Sequence, residues 1–196
     1  MGKSAMLPEP LAVTIKVTET LEKLDIPYII SGSLASTIYG MVRTTQDADI
    51  VADMRLEQVK PFIKSLEQEF FMDEEMIARS IGSKSSFNII HRETMFKVDV
   101  FIPSPRPYLQ AQLMRAQKQT FGGDREMSAR FSSAEDVILS KLEWYRLGGE
   151  ISERQWRDVL GILKTRANVL DLDYLRLWGR ELKVSDLLDR ALKESV

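Results

Sequence analysis

The sequence predicts an α+β chain: a small mixed β-sheet with flanking helices over residues 1–131, followed by a helical region over residues 132–196. Three observations carry that prediction. Residues 47–52 and 96–102 alternate in facing, as half-buried strands do. Val13, Val17, Leu21 and Leu24 recur at helical spacing ahead of the first strand. From Ser132 onward the chain carries helix signals only: Ser132 with Glu135, and Ser152 with Gln155, each match a capping box.

The elements follow in order. Pro27 breaks the first helix, and Tyr28-Ile29-Ile30 reads as a short buried strand running into Ser31-Gly32-Ser33. A short helix is expected over residues 34–39, ended by Gly40. After the strand at 47–52, Val59, Phe62, Ile63, Leu66 and Phe70 mark the core stripe of one helix. Strands are expected at 87–91 and 96–102. They should pair antiparallel, because residues 92–94 are too few for a helical crossover. The stretch Ser83-Lys84-Ser85-Ser86 reads as a flexible edge of the cleft. Pro103, Pro105 and Pro107 stiffen the boundary before a polar helix over 108–118, and Gly122-Gly123-Asp124 signals a turn between two short strands. In the helical region Gly148-Gly149 stops the first helix, and two more are expected after Asp171 and Ser185.

Composition narrows the function. With 27 Lys and Arg against 29 Asp and Glu, the net charge of −2 argues against a surface that coats nucleic acid. The basic run Arg106, Arg115, Lys118, Arg125 and Arg130 is either a patch for an RNA acceptor or an ordinary solvated face. There is no cysteine, which excludes disulfides and thiolate sites, and the single histidine, His91, excludes a histidine-based zinc site. No apolar run reaches the ~20 residues that span a bilayer, and the N-terminus lacks a signal-peptide pattern. A cytoplasmic protein without a membrane partner is expected.

Three carboxylates stand on predicted strands rather than on helix faces. Asp47 and Asp49 are two residues apart, so both leave the same face of a strand, about 6–7 Å apart. Asp99 lies between Val98 and Val100, on the alternate face of a buried strand. Acids gathered this closely repel, and a divalent cation relieves the repulsion. Oxygen-only ligands favour Mg²⁺ or Mn²⁺. The ordinary alternatives are an exposed acidic sheet face for the first pair and neutralisation of Asp99 by Lys97 or a helix N-terminus. Gly32 and Ser33 follow a strand and open a helix, a place where backbone N–H groups meet phosphate, although Ser33 could simply cap that helix.

Taken together, Ser31-Gly32-Ser33, then Asp47-Ala48-Asp49, then a later strand acid at Asp99, resemble the nucleotidyltransferase superfamily. The run Arg43-Thr44-Thr45-Gln46-Asp47-Ala48-Asp49-Ile50 is similar to the bacterial minimal nucleotidyltransferases and the toxin-like AbiEii branch. That resemblance implies a nucleotidyltransferase-like sheet and transfer of a nucleoside monophosphate from an NTP such as ATP to a hydroxyl, with release of pyrophosphate. It implies metal ligation by Asp47, Asp49 and Asp99, with Asp99 acting as or orienting the base. Gly32, Ser33 and Arg43 would bind the nucleotide. The acceptor could be an RNA end, a protein or a small molecule. The alternatives are a silent nucleotide- or partner-binding member of the fold, or a toxin–antitoxin component that modifies tRNA or protein.

The helical region adds two residues. Glu135-Asp136 with Lys141, and then Arg157-Asp158, resemble the AbiEii-like pattern, which implies that Lys141 reaches the triphosphate and Asp158 orients it. On the residues alone, Lys141 could snorkel past a buried stripe and Asp158 could pair with Arg154 one turn before it.

Overall fold

The computed structural model describes residues 8–40, 45–121 and 127–195. They form two compact units: the residues through Leu34 together with Thr45–Phe131, and Ala35–Gly40 together with those from Ser132 onward.

The strands of the first unit are β1 (Tyr28–Ser31), β2 (Asp47–Ala52), β3 (Phe70–Phe71), β4 (Ser86–His91), β5 (Lys97–Phe101), β6 (Gln117–Phe121) and β7 (Met127–Phe131). They make one sheet in the order β3-β4-β5-β2-β1-β7-β6. β2 runs parallel to β5 and β1 parallel to β7, while the remaining neighbours are antiparallel. The sheet is therefore mixed, as expected, and β4 and β5 form the antiparallel pair read from their short connection. The unit's helices are α1 (Glu9–Lys23), α3 (Val59–Leu66), α4 (Glu74–Ser83) and α5 (Pro107–Arg115), while α2 (Gly32–Ile38) starts in this unit and belongs from Ala35 onward to the second.

Local chemistry explains the ends of these elements. Pro10 lies in the first turn of α1, where its missing N–H has no partner to lose. Val13, Val17 and Leu21 then bury one stripe of that helix, which packs on β2, β7 and α3. The strands alternate strictly: Ala48, Ile50, Val98 and Val100 are buried, while Asp47, Asp49, Lys97 and Asp99 are only half-buried on the opposite face.

Several expectations are corrected. Phe70 is not on the stripe of α3, because the helix stops at Leu66. Phe70 opens β3 opposite His91, and their rings meet edge-on with centroids 5.1 Å apart. Its spacing of four from Leu66 mimics a helical repeat across a turn. In the Ser83–Ser86 stretch, Ser83 ends α4, Lys84 caps it in the left-handed region, and Ser86 starts β4. α4 itself, opened by Asp73 accepting from Met76 N–H, was not foreseen. The polar helix ends at Arg115 rather than Lys118, since Gln117 already begins β6. The Gly122-Gly123-Asp124 turn lies outside the described residues, although β6 and β7, the strands it was expected to join, do form a hairpin ladder.

The second unit holds α6 (Ala134–Leu147), α7 (Glu153–Arg166), α8 (Leu172–Glu181) and α9 (Ser185–Glu194), around Val137, Ile138, Leu142, Val159 and Leu188. Ser152 and Asp171 cap α7 and α8, but the expected Ser152–Gln155 capping box is made only in part, since Gln155 N–H donates to Ser152 Oγ while Gln155 Oε1 finds no hydrogen-bond partner among the described residues. The cap of α6 is Ser133, not Ser132. Ser133 Oγ accepts from Asp136 N–H at 3.1 Å and donates to Asp136 Oδ2 at 2.7 Å, while the Ser132 carbonyl accepts from the Tyr39 hydroxyl at 2.6 Å. Among the described residues no helix is long and apolar enough to cross a membrane.

Candidate active site

The ladder between β2 and β5 sets Asp47 beside Lys97 and Asp49 beside Asp99. Because the strands are parallel and in register, these four residues share one sheet face and form a two-by-two block of three acids and one base. β1 and β4 extend the second row, with Ser31 beside Asp49 and Asn88 beside Asp99. A polar line of Ser31, Asp49, Asp99 and Asn88 thus crosses four strands.

At the β1 end of that line the chain bends into α2 through Gly32, whose φ is +59°. A Cβ there would stand 1.8 Å from Asp49 Oδ2, so the absent side chain leaves the space that the carboxylate fills. Ser33 follows in the first turn of α2 and is buried. Thr45 steadies the entry to β2: its hydroxyl donates to the Asp47 carbonyl at 2.8 Å and lies 3.2 Å from Asp47 Oδ1.

Lys97 Nζ lies 2.7 Å from Asp99 Oδ2. That hydrogen bond raises the Lys97 ammonium above its ordinary pKa against the opposing effect of partial burial. The fields of Asp99, Asp47 and Asp49 raise it further. All three acids therefore act on one cation, and the alternative in which Lys97 neutralises Asp99 is realised. Among the described residues no three acid or imidazole side chains converge on one point. The donor set is nonetheless suited to a hard divalent ion: oxygen ligands only, with an ammonium standing in for a cation at Asp99.

In the helical unit Lys141 and Asp158 meet each other. Nζ donates to Asp158 Oδ2 at 2.7 Å with both side chains buried, which joins α6 to α7. Asp158 thus takes Lys141 as its partner across the helix pair. Close by in sequence, Asp136 also accepts from the Tyr174 hydroxyl, and Glu135 accepts from Asp171 N–H. Arg43 lies outside the described residues.

The fold is similar to that of solved proteins of known class. An antigenic nucleotidyltransferase-like protein from Paracoccidioides brasiliensis matches over 97% of this chain and 94% of its own, with a TM-score of 0.53 at 17% identity. The lincosamide antibiotic adenylyltransferase LnuA, solved with lincomycin, matches over 83% of this chain and 99% of its own, with a TM-score of 0.52 at 15% identity. The chain has the nucleotidyltransferase fold. The antibiotic-resistance factor ANT(2'')-Ia also shares it, over 93% of this chain and 98% of its own, with a TM-score of 0.51 at 12% identity. No family model and no curated protein matches the sequence. At these identities the likeness is one of nucleotidyltransferase fold.

Sequence reasoning missed Thr45, although it stands in the run that carries the resemblance. It also missed Asn88 and Ser31 as companions of the acids. Alternation along 87–91 turns Asn88 away from Phe87 and Ile89, but only the β4–β5 register sets it beside Asp99.

Proposed function

We propose that the chain transfers a nucleoside monophosphate from an NTP to a hydroxyl acceptor, releasing pyrophosphate, at Asp47, Asp49 and Asp99. The observation that carries this reading is the in-register pairing of Asp49 with Asp99 beside Gly32. Acids fifty residues apart meet on one rigid surface next to a bend with no side chain.

A divalent cation, Mg²⁺ or Mn²⁺, held by Asp47, Asp49 and Asp99, would neutralise triphosphate charge and stabilise the charge that develops in transfer. Asp99 accepts the proton of the acceptor hydroxyl or orients it. The acceptor oxygen bonds to the α-phosphorus as the bond from that phosphorus to the bridging oxygen breaks, and pyrophosphate leaves. Gly32 lets the phosphates approach its backbone, and the Ser33 hydroxyl donates to them. Arg43, Lys141 and Asp158 enter as nucleotide-binding residues on the sequence resemblance alone. The acceptor is an RNA end, a protein or a small molecule, and a tRNA or protein acceptor would make the chain the active half of a toxin–antitoxin pair. LnuA, an adenylyltransferase solved with its antibiotic, supports including small hydroxylated molecules in the search. A supply of NTP and Mg²⁺ fits the cytoplasm.

A second reading is a nucleotide- or partner-binding member of the fold without turnover. The Lys97 ammonium inside the acidic block favours it. One experiment separates the two: incubation with α-labelled NTPs, Mg²⁺ and cell extract, alongside thermal shift with each NTP. Label on an acceptor, lost in Asp47→Ala and Asp49→Ala, supports transfer. Nucleotide stabilisation without labelling supports the silent reading, and stabilisation indifferent to both substitutions sinks the acidic site altogether.

A further inference from the structure

Lys97 occupies the fourth corner of the acidic block, and the transfer reading gives it no task. Its ammonium is 2.7 Å from Asp99 Oδ2, and the side chain is 41% exposed against 21% for that of Asp99. The lysine therefore reaches in from the open side and has room to withdraw without disturbing the buried layer of Val98 and Val100.

We propose that Lys97 is a built-in competitor for the divalent ion: it holds the Asp99 carboxylate until the metal displaces it, and so sets the metal concentration at which the site assembles. The proposal rests on the transfer reading for the identity of the metal ligands and adds a positioning residue to it. The three carboxylates carry a charge of −3, which the single Lys97 ammonium offsets only to −2. A divalent ion brings twice the charge and accepts several oxygens at once, whereas the ammonium engages one. The exchange is thus favourable but opposed. The opposing contribution is that of a half-exposed ion pair plus the repulsion between two cations on one sheet face.

The test reads metal binding rather than turnover. Mn²⁺ alone, without nucleotide, is titrated into the full chain and followed by loss of the free-ion electron paramagnetic resonance signal. The wild type is compared with Lys97→Gln, Lys97→Met and Lys97→Arg, and with Asp47→Asn as a ligand control. Removing the charge should tighten Mn²⁺ binding at least about fivefold in both the Gln and the Met variants, with Arg close to wild type. Unchanged or weaker binding in Gln and Met, with binding still lost in Asp47→Asn, overturns the role of Lys97 while leaving the metal ligands in place. Failure of every form to bind Mn²⁺ overturns both the competitor and the transfer reading beneath it. Using two neutral replacements guards against one of them misfolding, which circular dichroism would reveal.

Discussion

Gly32 and Asp49 are built around each other: a Cβ on Gly32 would lie 1.8 Å from Asp49 Oδ2, and the glycine backbone sits at φ +59°. A backbone requirement and a side-chain requirement thus coincide at one position, where β1 gives way to α2.

Gly32→Ala should consequently do double damage. Left-handed strain and displacement of Asp49 together should lower stability by about 1–3 kcal/mol in urea unfolding. The Mg²⁺-NTP thermal shift should vanish with it. Gly149 supplies the control, since it too has a positive φ, of +75°, but open space around its Cβ position. Gly149→Ala should show the backbone strain alone and keep the nucleotide response. Equal nucleotide responses in the two variants would dismiss the link between Gly32 and the acids.

Asp47 is half-buried at the edge of the block, so Asp47→Asn removes a charge without opening a cavity. Its stability should stay within about 0.5 kcal/mol of wild type. Label transfer should nevertheless fall at least ~100-fold, the scale of losing a charge-stabilising group at a reacting phosphate. Retained transfer at full stability would remove Asp47 from the site.

The Lys141–Asp158 pair makes a test within the helical unit. Either Lys141→Met or Asp158→Leu alone breaks a buried ion pair and should destabilise the chain by about 1–3 kcal/mol. The double substitution replaces both charges with apolar bulk and should recover much of that loss, giving a large coupling in a double-mutant cycle. Additive losses would show that the two residues do not act as a pair.

Alkaline pH should weaken the protein through Tyr39. Its hydroxyl is pushed up to about 12, first by burial and then by the Glu135 carboxylate, from an ordinary value of 10.0. Below pH 10 both folded and unfolded chains keep the proton, and the contribution of Tyr39 is complete. Between 10 and 12 the unfolded chain ionises first, so stability falls as pH rises, by roughly 2–3 kcal/mol. Burial raises Tyr28 in the same direction. Tyr39→Phe, which loses the 2.6 Å bond to the Ser132 carbonyl, should be weaker at neutral pH yet show a shallower alkaline decline in urea titrations. An identical decline would place the loss elsewhere.

What the sequence disclosed was what depends on neighbours along the chain. Alternation exposed the Asp47 and Asp99 strands, helical repeats exposed α1, and side-chain caps exposed the starts of α7 and α8. Pairing partners were another matter. Nothing local says that β2 lies parallel to β5 rather than beside β4, and on that choice depends whether Asp49 meets Asp99. Phe70 misled because a residue four positions past a helix end keeps the helix period. Ser132 misled because two adjacent serines offer the same cap, and the hydrogen bond from Tyr39, distant in sequence, engages the carbonyl of one of them. Lys97 was visible beside Asp99 as a possible neutraliser, but its place in a block of four required the ladder.

The parallel ladder between β2 and β5 also makes the chain unequally tolerant of changes in length. Facing inverts at every step along a strand, so one residue inserted between Lys97 and Asp99 would turn that carboxylate into the apolar layer and offer a valine or the newcomer to the opening. The loops between successive elements have no such parity to preserve. Loops there can grow or shrink by odd or even numbers, whereas within the strands themselves the unit of permissible change is two.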